Sequence, residues 1–214
     1  MSLREPDKFF TTESLDDSSS LTKAETALGD GEVWLAAQME AFQAAVRGAP
    51  LDVALGILAR AAAKQWDSGV RCAFYMVNRD GTELHHVSGM AESYAECVDG
   101  FKVGSDSLAC GLAVHTGCPV ITPNVLNDPL WQPWLWLAKE YDFRGCWSFP
   151  VETEEGRVVG TLALYFPAPR QASPQDLEAA AILTRAAAII ISRYLEGADR
   201  GRIARKRGAL PRVR

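Results

Sequence analysis

The chain lacks any long apolar run, although 48% of its 214 residues are hydrophobic. A helix that crosses a membrane needs about 18 or more consecutive, mostly apolar residues. No such run occurs, and Met1 is followed by polar and charged residues rather than by an apolar stretch. We therefore expect a soluble, cytoplasmic protein that neither contacts a membrane nor carries an export signal.

Cysteine and histidine are too sparse for a disulfide framework or a spaced metal motif. The five cysteines form no Cys-x-x-Cys pair, and their odd number leaves at least one unpaired. Without an export signal, all five are interpreted as reduced thiols. Of the three histidines, His85 and His86 are adjacent and would point to opposite faces of a strand. We expect no bound metal ion.

Both ends of the chain have few apolar residues, so neither end is expected to join a core. We interpret residues 1–31 as a flexible segment, residues 32–196 as one domain with its flanking helices, and residues 197–214 as a flexible basic tail. Seven basic residues and no acid lie between Arg200 and Arg214, in a chain of net charge −5. Because no aromatic side chain lies among these charges to stack on bases, nucleic-acid binding is not expected.

Hydrophobic spacing predicts helices at both ends of the domain and strands between them. Long helices are expected at about residues 31–46, 51–66 and 174–195, the last with Ser173 as its N-cap. The shorter predicted elements are strands at 71–77, 82–87, 120–123, 145–151 and 158–166, and helices at 90–98, 108–116 and 134–141.

This order of elements predicts an α+β fold. Strands arranged in hairpins form an antiparallel sheet of about six strands, and the terminal helices pack on one of its faces. The connection from Gly100 to Phe143 would cover the other face, where a pocket is expected.

Several short motifs follow one another between Leu108 and Phe166. The first is a Gly-x-Ala-Val-x-Thr-Gly turn at Gly111–Gly117, and a strand begins after it with Pro119–Val120. Next come Asn-Asp-Pro-x-Trp at Asn127–Trp131 and Arg-Gly-Cys-Trp-Ser-x-Pro at Arg144–Pro150. The last is a hairpin framed by Gly156 and Gly160. Their order resembles the GAF domain, a small-molecule sensing module of bacterial signalling proteins and cyclic-nucleotide phosphodiesterases, over roughly residues 51–195. The chain is most similar to the sensory GAF modules of bacterial two-component histidine kinases. The resemblance implies a GAF/PAS-like fold and a ligand-binding role in signal transduction.

The resemblance also implies a ligand cavity beside the sheet, and a cluster of aromatic residues is expected to border it. Large rings with a single donor suit a pocket for a planar ligand. The residues that we predict to bind ligand are Tyr75, Cys110, Trp131, Trp134, Trp136, Trp147 and Phe149. On the strand 145–151, Trp147 and Phe149 share one face with Val151, and we expect this bulky set to face the cavity. In the alternative interpretation, the tryptophans only form a second small core.

Cys110 leaves an enzymatic alternative open. It precedes Gly111 near a helix start, where the helix dipole would stabilise a thiolate. The free methionine-R-sulfoxide reductases, enzymes built on the GAF scaffold, carry a Cys-Gly in a comparable place together with further pocket cysteines. The tract Asp99–Val103 has no cysteine where one would be expected. We therefore predict that the protein is not an enzyme.

The ligand and any cofactor are not assigned by the sequence. No cysteine is followed by histidine, the dipeptide that usually attaches bilins in related photoreceptors. The signature of the cyclic-nucleotide-binding GAF domains is not recognisable either. His115 could ligate a haem iron, but near a helix end it is interpreted as a surface residue.

The last predicted helix is apolar on more than one side, which is more than packing on one sheet requires. We expect a homodimer through the helix Pro174–Leu195 and the first helix, with Ala187, Ile190 and Ile191 near the boundary. The terminal helices would pass a signal to a partner, which would be a histidine kinase or another output. Two alternatives remain: a ligand-free dimerisation module, and a monomer whose first helix covers the surplus face.

Overall fold

The computed structural model describes residues 33–66 and 69–208. Helix α1 covers residues 33–46 of this described part. The remaining helices and strands are α2 Leu51–Gln65, β1 Arg71–Val77, β2 Glu83–Ser88, α3 Glu92–Val98, β3 Phe101–Lys102, α4 Ala109–Thr116, β4 Val120–Thr122, α5 Leu135–Glu140, β5 Gly145–Glu152, β6 Val158–Phe166 and α6 Pro174–Gly208. The segment predicted to be flexible, residues 1–31, and the end of the predicted tail, residues 209–214, lie outside the described residues.

The strands form one six-stranded sheet in the order β3-β2-β1-β6-β5-β4, and every neighbouring pair is antiparallel. The predicted α+β class and the sheet of about six strands are confirmed. The edge strand β3, which has only two residues, was not predicted, because so short a strand has no alternation to detect. Both edges are short, a common way of limiting edge-to-edge pairing.

The sheet carries a separate core on each face, because successive strand residues point to opposite sides. On one face α1, α2 and α6 cover Phe74, Trp147 and Leu162, which are fully buried. We call this the helix-side core. On the other face α3, α4, α5 and two 3-10 turns, Val125–Asn127 and Pro129–Trp134, form the cavity-side core around Tyr75 and Tyr165. The predicted arrangement, with terminal helices on one face and the long connection on the other, is confirmed.

The start of α6 was predicted correctly, and its end was not. Asp176 N–H donates to Ser173 Oγ over 3.2 Å, and Ser173 N–H donates to Asp176 Oδ2 over 2.8 Å, a reciprocal cap. The helix continues past the predicted end near Leu195 to Gly208. The residues beyond Leu195 are mainly good helix formers, and the next proline is Pro211. In the described part of the chain, no helix is both long and apolar enough to span a bilayer.

Candidate functional site

A cavity of about 30 Å³ lies between the sheet and the α3–α5 side of the molecule. Five residues with a hydroxyl or thiol line it, each from a different element: Tyr75 of β1, Tyr94 of α3, Cys110 of α4, Cys146 of β5 and Tyr165 of β6. The rest of the lining is mainly apolar and includes Leu84, Phe101 and Trp131. The cavity therefore combines apolar walls with a few converging hydrogen-bonding groups, which is typical of small-molecule sites.

Three tyrosines form the polar centre of the cavity. The hydroxyls of Tyr75 and Tyr165 are 2.9 Å apart and hydrogen-bonded. The ring of Tyr94 packs edge-on against that of Tyr165, with 5.4 Å between centroids. Each of the three side chains is at most 3% exposed. Burial raises the pKa of all three phenols well above the ordinary value, so the cluster is neutral at physiological pH.

Cys110 lies in the first turn of α4 and borders both the cavity and the sheet. Burial raises the pKa of its thiol, and hydrogen bonds with Ser148, Thr161 and Tyr165 offset only part of this rise. Burial also raises the pKa of the second cavity cysteine, Cys146. Both cysteines are therefore thiols rather than thiolates near neutral pH, which makes them poor nucleophiles.

Two buried hydroxyls lie behind Cys110. Ser148 and Thr161 are both 0% exposed, and among the described residues neither hydroxyl has a partner in regular hydrogen-bond geometry. The Cys110 thiol, a weak acceptor, is the polar group that they share. Neither residue is among the predicted ligand-binding residues. Strand alternation could have identified Ser148, because it places Ser148 beside Cys146 on one face.

The predicted ligand-binding residues fall into four groups, of which the last, Trp147 and Phe149, lies away from the cavity. Tyr75, Cys110 and Trp131 line the cavity. Trp134 lies next to it, with its ring centroid 4.7 Å from that of Phe101. Trp136 is 51% exposed on α5 and does not line the cavity.

The prediction that Trp147 and Phe149 face the cavity is wrong. Both belong to the helix-side core, and Trp147 Nε1 donates to the carbonyl of Arg170 over 3.1 Å. The reason is that β5 is buried on both faces, so the size of a ring does not identify the cavity side. On the opposite face α4 packs directly on β5, where Cys146 and Ser148 are small enough to allow it.

The motif glycine Gly111 allows a close approach between α4 and the loop after β3. A Cβ atom at Gly111 would lie 2.6 Å from the Cβ of Ser107 and would also collide with the carbonyl oxygen of Lys102. The Ser107 hydroxyl donates to that same carbonyl. The glycine therefore fixes one wall of the cavity.

Charged groups lie outside the cavity. Of the described residues that line it, Lys102 alone is charged; its side chain is 74% exposed and its ammonium is paired with Glu83. No group of three or more His, Cys, Asp or Glu side chains suited to a metal occurs among the described residues. His115 is exposed at the end of α4, as the sequence analysis interpreted it.

A family model for the GAF domain matches residues 48–192. This match covers more than half of the chain, which therefore belongs to the GAF domain family. The chain is 24% identical over 151 residues to the methyl sulfide methyltransferase-associated sensor of Methanosarcina acetivorans. That alignment covers 70% of this chain and 15% of the sensor, so the chain spans a small part of its curated relative.

Solved structures share the fold. The GAF domain of an Acinetobacter phosphoenolpyruvate-protein phosphotransferase has a TM-score of 0.59 at 14% identity, over 78% of this chain and 97% of that one. The free methionine-R-sulfoxide reductase of Neisseria meningitidis, solved with its substrate, has a TM-score of 0.61 at 15% identity, over 78% and 91%. A domain of a putative two-component sensor histidine kinase from Sinorhizobium meliloti has a TM-score of 0.54 at 19% identity, over 67% and 92%. At these identities the likeness concerns the fold alone.

Proposed function

We propose that this GAF domain is a regulatory sensor: a small molecule binds in the cavity and alters a partner or output domain through α1 and α6. One observation carries the proposal. The strand β5 presents Cys146 to the cavity on one face and Trp147 to the start of α6 on the other. A ligand that displaces β5 therefore acts on both sides of the sheet.

Arg170, in the loop before α6, adds polar contacts to the direct packing between β5 and α6. Its carbonyl accepts from Trp147 Nε1 over 3.1 Å, and its guanidinium lies over the Trp147 ring at 5.5 Å from the centroid. Its Nη2 donates to Asp176 Oδ1 over 2.9 Å. Trp66, at the end of α2, donates from Nε1 to the same carboxylate oxygen over 2.7 Å. Ligand binding shifts α6 only if the domain has two arrangements of this cluster and the ligand binds one of them more tightly than the other.

The outward faces of the helices support a homodimer. On α1, Val33, Leu35 and Met39 are more than half exposed, and on α6, Ile189 is 56% exposed. A two-fold axis would bury these apolar side chains against a second copy. The predicted boundary residues Ala187, Ile190 and Ile191 belong instead to the helix-side core, so the proposed interface lies on the Ile189 side of α6.

The output is proposed to be a kinase of a two-component system or another signalling protein. The relative in Methanosarcina is named as a sensor, and one similar fold belongs to a putative sensor histidine kinase. Five free cysteines, with Cys72 and Cys146 buried, suit a reducing compartment, so the proposed location is the cytoplasm.

The two alternatives differ from this proposal in the cavity itself. The reductase shares the fold, but the raised pKa of Cys110 and Cys146 opposes nucleophilic chemistry, and no enzymatic activity is proposed. In a ligand-free module, the open volume of about 30 Å³ would hold only water. This volume is far below the roughly 300–1,000 Å³ of drug-sized ligand sites, so the ligand has few heavy atoms or widens the cavity when it binds.

Native mass spectrometry of the chain purified from its own host tests the proposal. We expect a retained small molecule in the wild type and its loss in Cys110→Leu, because the larger side chain fills the cavity. Cys118→Leu, an exposed position outside the cavity, is the matched control and should retain the molecule. If the wild type carries no molecule under conditions that preserve its fold, the ligand-free alternative is favoured.

A further inference from the structure

The cavity contains hydrogen-bonding groups but no charge, and this combination restricts what it can bind. The phenols of Tyr75, Tyr94 and Tyr165 and the thiols of Cys110 and Cys146 are all neutral, and the Lys102 ammonium lies in solvent. We propose that the cavity selects a small, uncharged molecule that both donates and accepts hydrogen bonds, and that it excludes small ions of either sign. This inference rests on the proposed sensor function of the same cavity.

The hydroxyl groups have capacity left for a ligand. A phenol donates one hydrogen bond and accepts through two lone pairs. The bond between Tyr75 and Tyr165 uses one donor and one acceptor site. The remaining donor of the pair faces only weak partners such as the Cys110 thiol, so it can turn to a ligand, and several lone pairs remain. A ligand with a donor and an acceptor can occupy both kinds of free site at once, whereas a purely apolar molecule would leave them unmatched.

An ion would lose its hydration without a compensating charge. Transfer of an isolated charged group into an apolar site costs far more than transfer of a neutral polar group. No side-chain carboxylate or ammonium faces the cavity among the described residues that line it. An ion of either sign therefore loses its hydration without gaining an opposite side-chain charge.

The volume limits the molecule to a few heavy atoms. About 30 Å³ is roughly the space that one water occupies in the liquid, and a cavity of this kind holds one or two ordered waters when it is empty of ligand. The waters would satisfy the phenols in the free protein, and the ligand would replace them. A probe of three heavy atoms therefore binds with a dissociation constant of about a millimolar at best, whereas a molecule retained through purification must be larger and widen the cavity.

A charge series of equal size tests the selectivity. Formamide, formate and formamidinium each have three heavy atoms and are neutral, anionic and cationic, respectively. NMR titration of the folded chain would follow the ring signals of Tyr75, Tyr94 and Tyr165. We expect saturable, millimolar binding of formamide and at least about ten-fold weaker binding of both ions.

Two conservative variants locate the binding. Tyr94→Phe removes a cavity hydroxyl and keeps the ring, so formamide binding should weaken by about three- to ten-fold. Tyr141→Phe is the matched control. The ring centroids of Tyr141 and Tyr94 are 4.9 Å apart, but Tyr141 does not line the cavity, so this variant should bind formamide with unchanged affinity.

The outcomes separate this inference from the sensor proposal. Tighter binding of formate or formamidinium than of formamide would overturn the neutral class while leaving a sensing cavity in place. Equal binding by wild type and Tyr94→Phe, together with unchanged ring signals of Tyr75 and Tyr165, would place formamide outside the cavity and also overturn the inference. If no probe binds but a molecule is still retained in the native mass spectrum, the neutral class is wrong and the sensor stands. If no probe binds and no molecule is retained in the native mass spectrum, the sensor proposal itself is contradicted.

Discussion

At the scale of the residue, the hydroxyl of Thr161 lacks a strong partner, and its removal should cost little. Thr161→Val keeps the branched shape and removes a buried group that bonds only weakly to the Cys110 thiol. We expect the free energy of unfolding, measured with urea, to rise or to fall by less than about 0.5 kcal/mol.

Thr122→Val is the matched control for this prediction. Thr122 is also buried on a strand, but its hydroxyl donates to Asp128 Oδ2 over 3.1 Å. Removing it breaks a bond to a carboxylate, so the free energy of unfolding should fall by about 1–2 kcal/mol. A loss of the same size in Thr161→Val would mean that the Thr161 hydroxyl is well bonded in the folded protein.

The sequence predicted which strand residues share a face but not which face meets the cavity. Alternation correctly separated Trp147 and Phe149 from Cys146 and Ser148. The side was assigned wrongly because β5 is buried on both faces, so the pattern has no solvent side to orient it. The aromatic pair was placed at the cavity because of its ring size, but large rings are buried equally well in either core.

At the scale of the element, the start of α6 depends on the buried carboxylate of Asp176. Burial alone would raise the pKa of this group, but hydrogen bonds from Ser173 and Trp66 and the charge of Arg170 outweigh it and lower the pKa. A carboxyl group whose pKa is lowered by folding stabilises the protein above its unfolded pKa. This stabilisation is lost as the pH falls below about 4.

Asp176→Asn should therefore lower the stability near neutral pH and flatten its decline in acid. We expect a loss of about 1–3 kcal/mol at neutral pH, because Arg170 loses its charged partner and the Trp66 bond weakens. Urea unfolding at a series of pH values would measure both effects. Glu178→Gln, exposed in the same helical turn, serves as the control and should change little. An unchanged acid profile in Asp176→Asn would mean that another group controls the decline.

Helix starts were more predictable than helix ends. The pair Ser173 and Asp176 is a local signal, and it fixed the first turn of α6. The end of α6 has no comparable signal, since the residues after Leu195 are compatible with both helix and coil. The tail with basic side chains between Arg200 and Arg214 was predicted to be flexible, but a run of charged residues does not by itself end a helix.

At the scale of the whole molecule, the fold was predictable because many weak signals agree. Helix spacing, strand alternation and the motif order from Gly111 to Gly160 all led to one architecture. The cavity volume was not predictable, because it is the small remainder left by the packing of α3, α4 and α5 on the sheet. The residues that border the cavity were therefore predicted less well than the elements that carry them.

The helix faces also determine how two copies would associate. Ile189 is 56% exposed, whereas its neighbours Ile190 and Ile191 are at most 2% exposed in the helix-side core. We predict that Ile189→Glu converts a dimer into a folded monomer, because it places a charge in the interface without entering the core. Light scattering at tens of micromolar, with circular dichroism for the fold, would measure this change.

Two comparisons make the dimer prediction specific to this surface. Ile190→Glu would bury an unpaired charge in the core and should unfold the chain, so loss of the dimer in that variant alone proves nothing about the interface. Leu126→Glu changes a 43% exposed apolar residue on the opposite face of the sheet and should leave the dimer intact. A wild type that is monomeric at these concentrations would contradict the prediction, and α6 would then have to transmit the signal through a contact with a different protein.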